Sequence, residues 1–132
     1  MKIVIIQSIV DALGQIKSAL EKLVPDQMSE FIFCSNFEES LSLIPKNEDV
    51  VVITSWMFHD DNDIKFTNKE KTGDKLAQLV KEDINTEAKV YLFSSYPPDS
   101  MRYFDGFYKK QHNGYKDAEE IVEILYRLHL IK

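Results

Sequence analysis

Short apolar runs alternate with amphipathic segments along the whole chain, with no internal repeat and no low-complexity stretch. Five runs, at residues 3–6, 31–34, 50–53, 90–93 and 107–108, predict β-strands. The first four are continuously apolar, and the third is dominated by β-branched residues, as expected for strands that are buried on both faces of a parallel sheet. The chain is therefore predicted to have five strands.

The segment after the first strand predicts a helix. Ser8 and Asp11 have the spacing of a capping box, with Ser8 as N-cap, and Pro25 ends the helix. Gly14 in its interior costs about 1 kcal/mol relative to alanine, so we expect it to mark a close contact. The apolar face of this helix is formed by Ile9, Leu13, Ile16, Leu20 and Leu23.

Three further helices follow the same pattern. Asn36 is expected to cap the second helix, Gly73 to end a long polar segment before the third, and Asp117 to lie near the start of the last. Their apolar positions are Phe37, Leu41 and Ile44 in the second helix, Leu76, Leu79, Val80 and Ile84 in the third, and Ile121, Ile124, Leu125 and Leu128 in the last.

Alternating strands and helices predict a single α/β domain over residues 1–132, with a doubly wound parallel sheet covered by helices on both faces. In such open sheets, ligands bind at the carboxyl ends of the strands. The residues expected there are Gln7-Ser8, Ser35-Asn36, Thr54-Ser55, Ser94-Ser95 and Lys109-Lys110.

Composition narrows the classes of function. The formal charge of −6 argues against nucleic-acid binding, which usually requires a basic surface. Cys34 is the only cysteine and lies in an apolar run, so it is expected to be a buried thiol. No apolar stretch approaches the roughly 18 residues of a membrane helix, and the chain is expected to be cytoplasmic, without membrane contact.

The strand ends resemble those of the receiver domains of response regulators. The run 49–54 resembles the third strand of that family, with Thr54 where the phosphorylated aspartate normally stands. Ser94 matches the switch Thr/Ser after the fourth strand, and Lys110 matches the invariant lysine. Gln7 and Ser8 stand in place of the acidic pair after the first strand.

This resemblance implies a flavodoxin-like or receiver-like three-layer sandwich. The segment from Thr54 to Ser94 is longer than in the family, which indicates an extended connection between the third strand and the third helix. The segment from Ser94 to Lys110 is shorter by roughly a helical turn and a half, so the family's fourth helix is expected to be shortened or absent.

The absence of acidic residues at the strand ends determines which chemistry we expect there. Mg²⁺ prefers carboxylate and water oxygens, whereas Gln7, Ser8 and Thr54 offer only neutral oxygens. We therefore predict a degenerate receiver pocket of Gln7, Ser8, Thr54, Ser94 and Lys110, with no metal, cofactor or catalytic residue.

Lys110 needs a partner, because a buried ammonium without a counter-ion is costly. Asp60, Asp61 and Asp63, in the long polar segment, are the candidates to replace the missing acids. The same three aspartates are alternatively a metal site, although the glycine and distal glutamate of a calcium loop are missing, a relocated phosphoacceptor, or an ordinary acidic surface loop.

Aromatic residues suggest where a partner binds. All six tyrosines lie in the last third of the chain, and aromatic side chains are enriched at protein interfaces. Tyr96, Tyr103, Phe104 and Tyr108 form a candidate interaction face for a protein partner or a homodimer, through the fifth strand and the last helix. The alternative is that these rings fill the space of the shortened helix.

Three functions follow from these observations. The first is a phosphorylation-independent pseudo-receiver that acts as a regulatory protein–protein interaction module in signal transduction and is not an enzyme. The second is a receiver that is phosphorylated at Asp60, Asp61 or Asp63. The third is a small-ligand or nucleotide-binding flavodoxin-like protein, although residues 6–10 lack a glycine-rich phosphate loop.

Overall fold

A computed structural model describes residues 1–56, 58, 71–112 and 116–131. The elements run in the order β1 (Lys2–Ile6), α1 (Val10–Leu23), a 3₁₀-helix (Pro25–Glu30), β2 (Phe31–Cys34), α2 (Phe37–Leu43) and β3 (Val50–Thr54). They continue with α3 (Gly73–Leu79), a π-helical extension (Val80–Ile84), β4 (Lys89–Ser94), β5 (Gly106–Lys109) and α4 (Asp117–Arg127).

The five strands form one parallel sheet in the order β2-β1-β3-β4-β5. Because all five strands run parallel, their carboxyl ends lie at the same edge of the sheet. Ile6 is paired with Cys34 on one side and Thr54 on the other, and Ser94 is paired with Lys109. The predicted doubly wound α/β fold is confirmed.

The two faces of the sheet bury separate apolar clusters because successive side chains on a strand point in opposite directions. On one face Val4 and Val52 pack with residues of α2 and α3. On the other face Ile5 and Ile53 pack with residues of α1 and α4. The helices thus form the two outer layers of a three-layer sandwich.

The two predicted departures from the usual connections are confirmed. Residues 95–105 contain no helix, so the connection from β4 to β5 is a loop. The long connection after β3 ends where α3 begins, at Gly73. The backbone N–H of Gly73 donates to the carbonyl oxygen of Trp56 at 2.6 Å, which brings the two ends of this connection together.

Helix α1 differs from its prediction at three points. Its N-cap is Ile9 and not Ser8, and no side chain caps it. Ile9 and Leu23, expected on the buried face, are exposed, whereas Ala12 is buried. Gly14 packs against nothing, because a Cβ built there meets no atom within 4 Å. By contrast, the cap of α2 is confirmed, since Asn36 Oδ1 accepts a hydrogen bond from the backbone N–H of Glu39 at 3.0 Å.

None of the helices in the described part of the chain is both long enough and apolar enough to cross a membrane.

Candidate functional site at the carboxyl ends of the strands

A cavity of about 150 Å³ opens at the carboxyl ends of β1, β3, β4 and β5. Its buried lining includes the polar side chains of Gln7, Ser55 and Ser94, the ring of Phe93 and the largely buried side chain of Lys110. Its exposed lining includes Ile9 and Tyr96. The complete lining is Gln7, Ser8, Ile9, Ser55, Trp56, Phe93, Ser94, Ser95, Tyr96 and Lys110. None of these described lining residues carries a carboxylate.

Lys110 is neutralised by an acid that the sequence did not indicate. Its Nζ lies 3.0 Å from Oδ2 of Asp117, the first residue of α4. The side chains of Lys110 and Asp117 are 10% and 1% exposed, so the ion pair is buried. Gln7 Nε2 donates to the same carboxylate oxygen at 2.8 Å. The three side chains therefore join the ends of β1 and β5 to the start of α4.

The structure places an acid beside Lys110, and that acid is Asp117. Asp60, Asp61 and Asp63 lie outside the described residues. Placement of Asp117 at the first position of α4 also suits its charge, because the helix dipole favours an anion at that end. The sequence marked Asp117 as a helix start and gave no sign of its contact with Lys110.

The prediction that Thr54 lines the pocket is wrong by one residue. Thr54 is fully buried, and its hydroxyl donates to the carbonyl oxygen of Ser55 at 2.9 Å. Ser55 lines the cavity instead, and its Oγ accepts a 3.4 Å contact from the backbone N–H of Ser8. Because side chains alternate between the two faces of a strand, neighbouring residues at its end point to different sides.

The remaining predicted pocket residues do meet at the cavity. Ser94 lies at the end of β4, where its Oγ accepts from the backbone N–H of Tyr96 at 3.1 Å. The backbone N–H of Lys110 donates to the carbonyl oxygen of Ser94 at 2.9 Å. Gln7 Oε1 accepts from the backbone N–H of Ile9 at 3.2 Å and so shapes the turn into α1. The structure thus brings Gln7, Ser8, Ser94 and Lys110 together.

Trp56 and Asp74 hold the rim of the cavity in place. The indole N–H of Trp56 donates to Asp74 Oδ2 at the start of α3. Asp74 also accepts long contacts of 3.4 Å from the backbone N–H groups of Asp99 and Ser100. This one carboxylate links the ends of the β3–α3 connection to the loop that replaces a helix between β4 and β5.

The four aromatic residues predicted to form one interaction face do not share a surface. Phe104 is buried and packs, with Tyr103, on the α2–α3 side of the sheet. Tyr108 packs on the opposite side, against Tyr91. Only Tyr96, which is 64% exposed, lies open to solvent. Phe104 and Tyr103 therefore fill space beside the helix-free loop, which was the alternative interpretation.

Tyr103 also makes a specific polar contact. Its hydroxyl donates to Glu82 Oε1 at 2.6 Å, and this hydrogen bond holds the pKa of Glu82 below its ordinary value. The same hydrogen bond raises the pKa of Tyr103. This hydrogen bond holds the ring against the π-helical extension of α3.

Comparison with solved structures agrees with this topology. The chain aligns over 96% of its length with 88% of the receiver domain of RcsB from Salmonella enterica serovar Typhimurium, at 14% identity and a TM-score of 0.57. That structure was solved in the presence of the phosphomimetic BeF₃⁻. The chain has a receiver-like fold.

A second structure gives the same result for this receiver-like domain. It is the N-terminal domain of an uncharacterized protein from Wolinella succinogenes, with 18% identity, 98% coverage of this chain, 97% coverage of that chain and a TM-score of 0.53. No family model and no curated protein matches the sequence. At these identities the likeness establishes the fold, while function has to be argued from the cavity.

Proposed function

We propose that the chain is a phosphorylation-independent pseudo-receiver that regulates signal transduction by contact with another protein. The observation that carries this proposal is the lining of the strand-end cavity. Its described residues offer hydroxyls, an amide and one lysine, and that lysine is already paired with Asp117. Mg²⁺-assisted transfer of a phosphoryl group needs carboxylate oxygens for the metal and for the nucleophile, and these lining residues supply neither.

The charges of the Lys110–Asp117 pair support the same conclusion. A lysine stabilises an incoming phosphoryl group through its positive charge. Here that charge is already balanced by the carboxylate of Asp117, in a buried environment where ion pairs are poorly screened. The domain is thereby held in one arrangement by an internal contact and acts through its surface.

The direct test is phosphate uptake. The purified chain is incubated with acetyl phosphate and Mg²⁺, or with beryllofluoride and Mg²⁺, and analysed by intact mass and by fluorescence of Trp56, the only tryptophan. We expect no mass gain and no fluorescence change. A variant with Ser8→Asp and Ser55→Asp restores carboxylates at the cavity and is the matched control, for which we expect Mg²⁺-dependent quenching.

Stoichiometric acyl phosphate on the native chain would overturn the proposal. Replacing Asp60, Asp61 and Asp63 with asparagine, one at a time, would then locate the acceptor and establish the alternative receiver function.

A protein partner, or a second copy of this chain, is proposed to bind through β5 and α4. β5 is an edge strand of the sheet, and Tyr126 on α4 is 41% exposed. A photo-cross-linking residue at position 126 should give a discrete adduct in cells, whereas one at Leu43 on α2, which is 39% exposed, should not. Equal labelling at the two positions would refute this choice of face.

A further inference from the structure

Among the described residues, several hydrogen-bond donors of the strand-end cavity have no acceptor. Ser55 Oγ and Ser94 Oγ each accept a backbone N–H, which leaves their hydroxyl hydrogens to donate. Within the described part of the chain, no acceptor is paired with either hydrogen. Lys110 has three N–H donors, of which one goes to Asp117, and its Nζ also lies 5.1 Å from the centroid of the Phe93 ring. Three donors from three strand ends thus line one small space, and an acceptor oxygen placed there would satisfy them.

The charge that this oxygen can carry is limited by the existing ion pair. Lys110 and Asp117 already balance each other at 3.0 Å, with exposures of 10% and 1%. A second carboxylate would therefore bring an uncompensated negative charge into a buried space, which is costly. A neutral carbonyl oxygen accepts the same hydrogen bonds without that penalty.

The side chains at the opening of the cavity indicate what the rest of the ligand should be. Ile9 and Tyr96 are 53% and 64% exposed beside the opening, and Trp56 lies next to them. Apolar side chains around a small recess that contains both polar donors and the Phe93 ring match a molecule with an apolar body and one polar end. A cavity of about 150 Å³ has room for a ligand of about the size of one side chain.

We propose that this cavity binds a small, uncharged molecule with a carbonyl tip and an apolar or aromatic body, of which a primary carboxamide is the simplest example. The carbonyl oxygen accepts from Ser55, Ser94 and Lys110, and the body packs against Ile9, Trp56 and Tyr96. Such binding needs neither a metal nor a covalent step.

Three probes of matched size and different charge test this site: benzamide, benzoate and benzylamine. Each is titrated into the ¹⁵N-labelled full chain, while Trp56 fluorescence is recorded in parallel. We expect benzamide to give saturable shifts at the backbone amides of Ser55, Ser94 and Lys110, and to change the Trp56 emission. Benzoate is expected to bind at least about tenfold more weakly, and benzylamine to give no saturable shift.

Variants separate this site from adventitious binding. Ser94→Ala removes one donor and should weaken benzamide binding about tenfold, the effect of one hydrogen bond. Ser42→Ala is the matched control, because Ser42 is an exposed serine of α2 whose hydroxyl donates to the Glu39 carbonyl. If Ser94→Ala does not fold, Ser55→Ala removes a donor from the neighbouring strand and has the same expected effect.

The proposal fails if benzamide gives no saturable shift, if benzoate binds equally well or more tightly, or if the shifts lie away from the cavity. Unchanged affinity in the serine variants would refute it as well. A chain that takes up no phosphate and also binds no benzamide would support the pseudo-receiver function while refuting this site.

Discussion

Replacing Asp117 with asparagine removes the charge that balances Lys110 while keeping the size of the side chain. Because Lys110 is only 10% exposed, its ammonium would remain buried without a counter-ion. Removing one partner of a buried ion pair costs about 3–5 kcal/mol, and asparagine retains an acceptor for Gln7, so we expect a loss near the lower figure. Lys110→Met leaves the Asp117 carboxylate buried in the same way and should cost about as much.

The double variant distinguishes the ion pair from simple loss of packing. With both charges removed, neither desolvation penalty remains, so the double variant should be less destabilised than the two single losses combined, by about 2–3 kcal/mol. The matched control is the pair Arg127–Glu123, which is closer, at 2.6 Å against 3.0 Å, but 65% and 61% exposed. Its coupling should be below about 0.5 kcal/mol.

Urea unfolding followed by Trp56 fluorescence and by far-UV circular dichroism measures all of these variants. Coincident transitions from the two probes justify a two-state treatment. If the Lys110 and Asp117 losses are additive within about 0.5 kcal/mol, the buried pair does not have the role assigned to it here.

Three further substitutions test the packing. Gly73→Ala should destabilise by at least about 2 kcal/mol in thermal unfolding, because a Cβ there lies 2.6 Å from the Ser55 carbonyl oxygen; native-like stability would contradict that geometry. Gly14→Ala should instead stabilise by about 0.4–1 kcal/mol, since the position is exposed on α1 with open space around it, and a loss of stability would reveal an unseen contact. At Asp105, burial would raise the pKa, but hydrogen bonds from Lys81 and the Val90 backbone outweigh it and lower the pKa below 3.8. The ionised carboxylate therefore stabilises the folded state at pH values above the pKa that Asp105 has in the unfolded chain, and this stabilisation is lost as the pH falls through the lower pKa of the folded state. Asp105→Asn should cost about 1–2 kcal/mol at pH 7 and progressively less below pH ~4. A pH-independent difference in urea midpoints would refute this.

The strands were predictable because their signal is local. Val50 to Ile53 form an unbroken β-branched run, and a strand buried on both faces needs nothing else to be recognised. The missing helix between β4 and β5 was also predictable, since the number of residues between Ser94 and Lys110 limits what can be built there.

The start of α1 was harder to predict because two local signals competed. Ser8 has the residue type of an N-cap. However, the side-chain oxygen of Gln7 accepts a hydrogen bond from the backbone N–H of Ile9, and the helix begins one residue later than expected. The exposure of Ile9 follows from this shift together with its position at the cavity rim.

The site was predictable in part. Gln7, Ser8, Ser94 and Lys110 each follow a recognisable strand, so the topology alone brings them together. Ser55 was expected at the end of the strand, but the predicted pocket included Thr54 in its place, and a difference of one residue along a strand reverses the side to which a side chain points.

Asp117 was missed for a different reason. Its contact with Lys110 depends on how α4 is placed against the sheet, which no local pattern contains. A carboxylate at the first position of a helix is ordinary on dipole grounds alone, so its second role left no trace in the sequence.

The hydrogen bond between Gly73 and Trp56 fixes the points where the chain leaves β3 and enters α3. Because those two points are held together, a change in the number of residues between them need not move the strands of the sheet. Doubling the length of such a connection costs only about 0.6 kcal/mol in closure entropy. A recognition peptide or a reporter inserted at this junction should therefore leave the parallel strands in register.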